Sequence, residues 1–387
     1  MKLFRQLLAR YRLLRWRKRL KADRGFSLRV SDAAQFLRNL DAEGVKYVVL
    51  RWYDDLPRVL SRQVADDIDL LVEHGGMNRI AAAVPFFNFG RKSDKIKFDL
   101  YSDSGRSGLS YRRMPYYPPI RAKHLLDTRV ADPRGWYRIS ARDYIPALVY
   151  HLTYHKRRES GLRLSSESGA SDVAAKKDYP ALLQAEARKE GFALPPLETL
   201  LEAHQWLRTQ AWSMPYDLIH RWPDQDEWLL YLRRHEAGQL QAAMSDSELA
   251  DDLFVLVTRR EAHDHACDSE ILDALAKFAS SMGSIVLAED QVHRLLWWAR
   301  GGNWLAAKQY ELSPPVLLVK CHLPRGAAAL KENIREELSR RHGKHNWLHG
   351  TDDVDEARYY LALVEGKVYP LPAAWMPRND SEENREQ

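Results

Sequence analysis

The sequence predicts an α/β protein of more than one domain, and three observations carry that expectation. The chain has 387 residues, against a usual domain size of roughly 100 to 200. Apolar, β-branched runs alternate with segments of helical period near both ends, and a mainly helical stretch lies between them. Hydrophobic residues at 45% and charged residues at 29%, with 19 Gly and 18 Pro, exclude collagen-like and disordered classes. Two cysteines, Cys267 and Cys321, build neither a disulfide framework nor a four-thiolate zinc site, so a reducing, cytoplasmic setting is expected. No apolar run reaches the roughly 18 residues of a membrane span.

The first element is a basic helix over residues 1–24. Ten Lys or Arg against Asp23 put a charge of +9 there, so a net charge of +6 leaves −3 for the other 363 residues. A body so near neutrality has no general pull on DNA or RNA, and no nucleic-acid partner is expected. Leu3, Phe4, Leu7, Leu8, Tyr11 and Leu14 recur at helical spacing and form an apolar stripe. That stripe suits an anionic membrane surface, with Trp16 at headgroup depth, or equally the protein's own body. The segment is too rich in arginine for a secretory signal.

Next, Ser31–Leu40 reads as a helix capped by Ser31, followed by strand candidates at Val45–Leu50, Asp67–Val72 and Ile96–Tyr101 in a domain over 31–135. Residues 140–245 are helical in pattern, broken by a Ser- and Gly-rich loop at Ser160–Ser171. A second α/β domain over 252–366 has strands at Phe254–Thr258, Ile285–Ala288 and Val316–Lys320, with helices at Ile271–Met282 and Leu330–Arg341. Residues 370–387 are expected to be a disordered tail, of which Asp380–Gln387 is polar, acidic and without apolar anchors.

In Asp66-Asp67-Ile68-Asp69-Leu70-Leu71-Val72 the carboxylates of Asp67 and Asp69 share one strand face, while Ile68 and Leu70 take the other. The later run Lys95–Tyr101 alternates strictly and puts Lys97, Asp99 and Tyr101 on its open face. Three carboxylates on adjacent strands suit two Mg²⁺ ions that orient a triphosphate and activate an acceptor hydroxyl. An amide at position 69, on an open polar face, would then leave packing intact. Over about 31–130 this arrangement resembles the nucleotidyltransferase-fold superfamily, which implies a mixed sheet with Asp67, Asp69 and Asp99 as metal ligands and Asp99 also as a catalytic residue. That family usually follows its first strand with a Gly-Ser pair. Here Leu50 precedes Arg51-Trp52-Tyr53, and Arg51 would hold phosphate by charge instead.

Two histidine pairs carry a metal-like spelling. His151 and His155 stand at i, i+4 on the helix Arg142–Lys156, beside Ile145, Leu148, Val149 and Leu152. They suit a shared metal or a phosphate contact, but without a third ligand nearby they read as histidines packed against the first domain. His263-x-His265-x-Cys267 falls in an expected loop with no fourth ligand.

Near the C-terminus, Asn346-Trp347-Leu348-His349-Gly350-Thr351-Asp352 is similar to the Asn-x-x-His-Gly-Ser-Asp element of nucleoside diphosphate kinases. Arg259-Arg260-Glu261-Ala262, Ser313-Pro314-Pro315-Val316 and Asn333-Ile334-Arg335 resemble further elements of that family in order, over about 252–366. The resemblance implies a ferredoxin-like domain in which His349 is the catalytic nucleophile, Arg335 contacts phosphate and Asn346 contacts ribose. Thr351 would also line the nucleotide site, and Trp304 would stack on the base. The family's lysine is matched by Arg259, and the glutamate that orients its histidine falls at Tyr360.

Both resemblances converge on nucleoside triphosphate and Mg²⁺. The expected activity is Mg²⁺-dependent nucleotidyl transfer to a hydroxyl or phosphate acceptor, in surface-polysaccharide metabolism. A phosphohistidine phosphotransferase, and a peripheral membrane scaffold that only binds nucleotide, are the alternatives; the sequence is compatible with an oligomer.

Overall fold

The structure, a computed structural model, describes residues 2–22, 25–64, 66–105, 108–166, 177–223, 225–244, 250–299, 316–323 and 327–369. Trp304 and the expected tail at 370–387 lie outside these residues, as does the Ser- and Gly-rich segment beyond residue 166. The fold is mixed α/β, with a six-stranded mixed sheet and a four-stranded antiparallel sheet among the described residues. By internal packing the chain divides into two units, one over 1–214 with 222–228 and one over 215–221 with 229–387.

In the first unit, helix α1 (Lys2–Ala22) precedes β1 (Phe26–Val30), α2 (Ala33–Ala42), β2 (Tyr47–Val49), α3 (Leu56–Leu60), β3 (Ile68–Val72), α4 (Met77–Ala83) and β4 (Ile96–Ser102). Then follow α5 (Pro119–Asp127), β5 (Val130–Asp132), β6 (Trp136–Arg138), α6 (Ala141–Tyr150), α7 (Tyr179–Lys189) and α8 (Leu200–Thr209). The sheet order is β1-β4-β3-β2-β6-β5, with β3 parallel to β4 and antiparallel to β2. Alternation along β4 buries Ile96, Phe98 and Leu100 against the helices, and Phe98 meets Phe36 of α2 edge to face at 5.0 Å. The opposite face of β4 carries Lys97, Asp99 and Tyr101.

The helix expected from Ser31 is capped by Asp32, whose carboxylate accepts from the Gln35 amide at 2.8 Å, while Ser31 bonds to the segment around Asn88. Strands β1, β5 and β6 were not legible, since β5 and β6 have three residues each and β1 is an edge strand directly after the basic helix.

Helix α1 docks on this unit through Ala9, Arg12 and Trp16, a different face from the expected stripe. Arg12 donates to the carbonyls of Ala81, Val84 and Pro85 at 2.7–2.8 Å, capping the C-terminal end of α4 where helical carbonyls lack partners. Trp16, expected at headgroup depth, instead packs on Phe26 at 5.2 Å. Gly108, at φ +78°, lets the backbone of Leu20 approach so closely that a Cβ would lie 2.3 Å from the Leu20 carbonyl oxygen.

The second unit contains α9 (Tyr216–Arg221), most of α10 (Glu227–Ala242), β7 (Leu253–Thr258), α11 (Arg260–Asp264), α12 (Asp268–Ala276), β8 (Ser281–Val286), α13 (Glu289–Trp298), β9 (Leu317–His322), α14 (Ala327–His342), β10 (Leu348–Gly350) and α15 (Val354–Val364). The strand order is β10-β7-β9-β8, antiparallel throughout. Phe254, Leu256, Val319 and Cys321 pack with Ile271, Leu275, Ile334 and Leu338 of α12 and α14, while α15 packs on β7 from the other side. The helix expected over Ile271–Met282 stops at Ala276, and Met282 lies in β8. That strand is an exposed edge with Gly283 inside it, so it shows no period-two apolar pattern.

Candidate functional site

The polar face of the first sheet is built by register. In β1, β4 and β3 the cross-strand partners are Ser27, Asp99 and Asp69, so these three side chains form one row. The next row holds Arg29 and Lys97, with Asp67 just before β3. Ser27 donates its hydroxyl to Asp99 at 2.5 Å, and Lys97 Nζ donates to Asp67 at 2.7 Å and to Asp99 at 2.8 Å. Arg51, two residues beyond β2, completes the first row with an ion pair to Asp69 at 2.5 Å. The sequence thus brings Asp67, Asp69, Asp99 and Arg51 together.

The face is not uniformly open, however. Asp67 is half exposed, whereas the side chain of Asp69 is only 12% exposed and that of Arg51 14%. The expectation of a solvated position therefore fails at residue 69. Burial raises the Asp69 carboxyl above its ordinary range; Arg51 opposes the shift, while Asp99 and Asp67 reinforce it. Arg51 is raised as well: burial disfavours its charge, but Asp69 together with Tyr116, Tyr117 and Tyr101 outweighs burial and holds the proton. Lys97 behaves alike, its two carboxylates outweighing desolvation to raise the amine.

Three carboxylates meet two directly paired cations, Arg51 and Lys97, with Arg29 on the neighbouring row, and burial is the main cause of the raised Asp69 carboxyl. Clustered carboxylate oxygens suit a hard divalent cation such as Mg²⁺. They are not a finished shell: among the described residues no three His, Cys, Asp or Glu groups converge as metal ligands, and the Lys97 ammonium stands between Asp67 and Asp99. A cleft of about 460 Å³ opens beside them, lined by Arg29, Arg62, Asp66, Asp67, Lys95 and Lys97. Its basic residues fit the oxygens of a polyphosphate.

Behind Arg51 runs a buried polar chain that sequence reasoning missed in part. Arg51 donates to the Tyr116 hydroxyl at 2.5 Å, and Tyr116 is 2.9 Å from His151 Nδ1. Helix α6 widens into a π-turn over His151–Lys156, which sets His155 Nδ1 3.4 Å from His151 Nδ1. Burial, with Arg51 adding to it, holds both histidines well below their ordinary pKa, so both are neutral at pH 7. The Nε2 atoms of both are buried without a hydrogen-bond partner among the described residues. The expected packing of these histidines against the first domain is found, with a direct link to its acidic row. Tyr116 carried no signal of its own; Tyr101, 3.4 Å from Asp69 and 4.3 Å from the Tyr116 ring, carried one through the alternation of β4.

Trp52, after Arg51, sits at φ +59°, a left-handed conformation that costs a non-glycine residue roughly 1–2 kcal/mol.

In the second unit, His349 of β10 is buried, with its Nε2 3.3 Å from the Tyr360 hydroxyl and 3.5 Å from Glu356. A glutamate therefore does stand beside the histidine, one turn earlier on α15 than the position occupied by Tyr360. Glu356 also pairs with Arg221 at 3.3 Å and accepts from the Asp352 amide at 2.6 Å. Lys331 is buried against the Gly350 carbonyl and Asp352. The other expected residues do not gather at His349. Arg335 donates to the Leu348 carbonyl at 2.9 and 3.2 Å and to Glu332. Thr351 Oγ1 accepts from the Val255 amide, and Asn346 is exposed on the approach to β10. The His263, His265 and Cys267 trio does not converge either: His263 pairs with Asp268, and Cys267 is buried in the core.

Compared with known proteins, the chain matches no family model, no curated protein and no solved structure.

Proposed function

We propose that the first unit is a nucleotidyltransferase-type module that transfers a nucleoside monophosphate from a triphosphate to a hydroxyl or phosphate acceptor. The row of Asp69 and Asp99 on neighbouring parallel strands, with Arg51 at its end and Asp67 one step away, is the observation that carries this reading. The antiparallel β2–β3 pair followed by the parallel β3–β4 pair, with carboxylates on β3 and β4, agrees with the superfamily that the sequence resembles.

Asp67, Asp69 and Asp99 would hold Mg²⁺, which when bound neutralises phosphate charge and lowers the barrier to attack at phosphorus. Arg62, Lys95 and Arg29 would take the β- and γ-phosphate oxygens, and Lys97 would leave its place between Asp67 and Asp99 to join them. The acceptor oxygen bonds to the α-phosphorus, the bond to the bridging oxygen breaks, and pyrophosphate leaves. Asp99, the less buried carboxylate of the row, takes the acceptor's proton. Arg51, fixed by Asp69 and Tyr116, positions the carboxylates and is backed by neutral histidines that add no competing charge.

A second reading has one specific support: His349 beside Glu356 and Tyr360 is a buried imidazole with a carboxylate partner, and β7, β8, β9 and β10 run in the ferredoxin-like order. It predicts a phosphohistidine at His349. The displacement of Arg335 and Thr351 into backbone contacts places it second.

The test is equilibrium binding of each common nucleoside triphosphate with and without Mg²⁺. The proposal expects Mg²⁺-dependent binding that Arg62→Ala plus Lys95→Ala weakens at least tenfold while His349→Ala leaves it intact. Binding lost in His349→Ala alone would move the nucleotide to the second unit.

A further inference from the structure

We propose that α1 and the segment after α4 form one membrane-docking surface, whose occupant is the surface of a bilayer containing anionic phospholipid. The docked face of α1 uses Ala9, Arg12 and Trp16, so the outward face remains without a protein partner among the described residues. Leu7, Tyr11 and Leu14 project from it, 54%, 56% and 68% exposed. They follow one another at i, i+4 and i+7, a continuous ridge along the helix. Arg10, Arg15, Arg17, Lys18 and Lys21 border the ridge, all exposed, and no acidic residue occurs in Lys2–Ala22.

A second observation points to the same side of the molecule. Arg12 grips the carbonyls of Val84 and Pro85, which anchors the start of the following segment beside α1. That segment displays Phe86, Phe87 and Phe89, 46%, 72% and 72% exposed. Between it and α1 lies a cleft of about 600 Å³, lined by Tyr11, Arg15, Arg19, Arg29, Phe89 and Lys95 among others, and none of its lining residues is acidic. Exposed aliphatic and aromatic groups rimmed by guanidinium and ammonium groups match acyl chains below a layer of phosphate headgroups. Nucleic acid would repay the cations and the aromatic rings but not Leu7 and Leu14, which decides between the two. The α1 edge of the cleft, at Arg15 and Arg19, would receive a lipid phosphate, and the three hydrogen bonds of Arg12 hold the helix on the body before any lipid is met.

The test uses the full chain with vesicles of phosphatidylcholine alone and of phosphatidylcholine with phosphatidylglycerol, read by co-sedimentation at low and high salt. The proposal expects binding only to the anionic vesicles, weakened by salt. Leu7→Ser, Tyr11→Ser and Leu14→Ser together should cut it by about tenfold or more, as should Phe87→Ser with Phe89→Ser. Arg15→Gln with Lys18→Gln should weaken the preference for anionic lipid. Because all these side chains are exposed, melting temperatures should stay at the parent value, which separates lost docking from lost folding. No binding by the parent protein to anionic vesicles would overturn the proposal. So would binding that the Leu7, Tyr11 and Leu14 variant retains in full, or a single-stranded oligonucleotide that binds the parent and this variant equally.

Discussion

Replacing Lys97 by methionine removes the cation that bridges Asp67 and Asp99 and makes the acidic face more negative by one charge. Lys97 makes two partly exposed ion pairs, at 2.7 and 2.8 Å, each worth about 0.5–1 kcal/mol in such a setting. Lys97→Met should therefore lose about 1–2 kcal/mol in metal-free buffer, a fall of roughly 2–8 °C in melting temperature for a unit of this size. Added Mg²⁺ should reverse the order, because the ion takes the space that the ammonium leaves; at a hundredfold excess over its dissociation constant it restores about 2.7 kcal/mol. The parent protein should respond less, since Lys97 competes with the ion. The pH dependence has a definite sign. A carboxyl whose folded pKa is raised binds more protons folded than unfolded, so Asp69 contributes stability that is lost as pH rises from the unfolded value of 3.8 through its raised folded value. In the variant that loss should be steeper, as the carboxylates gain no relief from Lys97. Differential scanning fluorimetry across pH 4 to 7, with chelator or Mg²⁺, reads all of this. A variant as stable as the parent in chelator, with neither protein responding to Mg²⁺, would refute the charge argument.

Arg51→Met should cost about 3–5 kcal/mol in denaturant unfolding, because it leaves Asp69 without its cation in a largely buried site. Adding Asp69→Asn to that variant should recover at least half, and no recovery would show that Arg51 acts through Tyr116 alone. Arg335→Ala should lose about 1 kcal/mol through the Leu348 carbonyl yet leave any γ-phosphate labelling of His349 unchanged; slowed labelling would return Arg335 to the phosphate. Trp52→Gly should be nearly neutral in stability, the relief of a left-handed tryptophan, roughly 1–2 kcal/mol, offsetting its lost contacts, and nucleotide binding should be retained or tightened. Gly108→Ala should detach α1 from the first unit, seen as faster proteolysis within residues 1–24, because no Cβ fits beside the Leu20 carbonyl.

What was legible in the sequence followed from period and spacing. The alternation Ile96, Phe98, Leu100 against Lys97, Asp99, Tyr101 gave β4 and its polar face, and the two-residue step from Asp67 to Asp69 gave a shared side. What escaped depends on partners distant in sequence. Nothing local to Asp69 announces that Arg51 will bury it, or that Tyr116 and His151 will stand behind Arg51. The stripe on α1 was seen, but its direction was not, since the choice between two helix faces was made by the C-terminal carbonyls of α4 calling for Arg12. At His349 the motif named Tyr360 and missed Glu356, because one helical turn brings both side chains to the same imidazole.

Transfer of a nucleoside monophosphate from the acidic row of the first unit is read by positional label. The full chain, with Mg²⁺ and soluble and membrane extracts as acceptor pools, is incubated in parallel with α-labelled and γ-labelled nucleoside triphosphates. Nucleotidyl transfer at this site should give α-label in a new product with at least one base, γ-label only in pyrophosphate, and loss of the product in Asp99→Asn but not in His349→Ala. Acid-labile γ-label on the protein that His349→Ala abolishes, with no α-label transferred from any base, would contradict it.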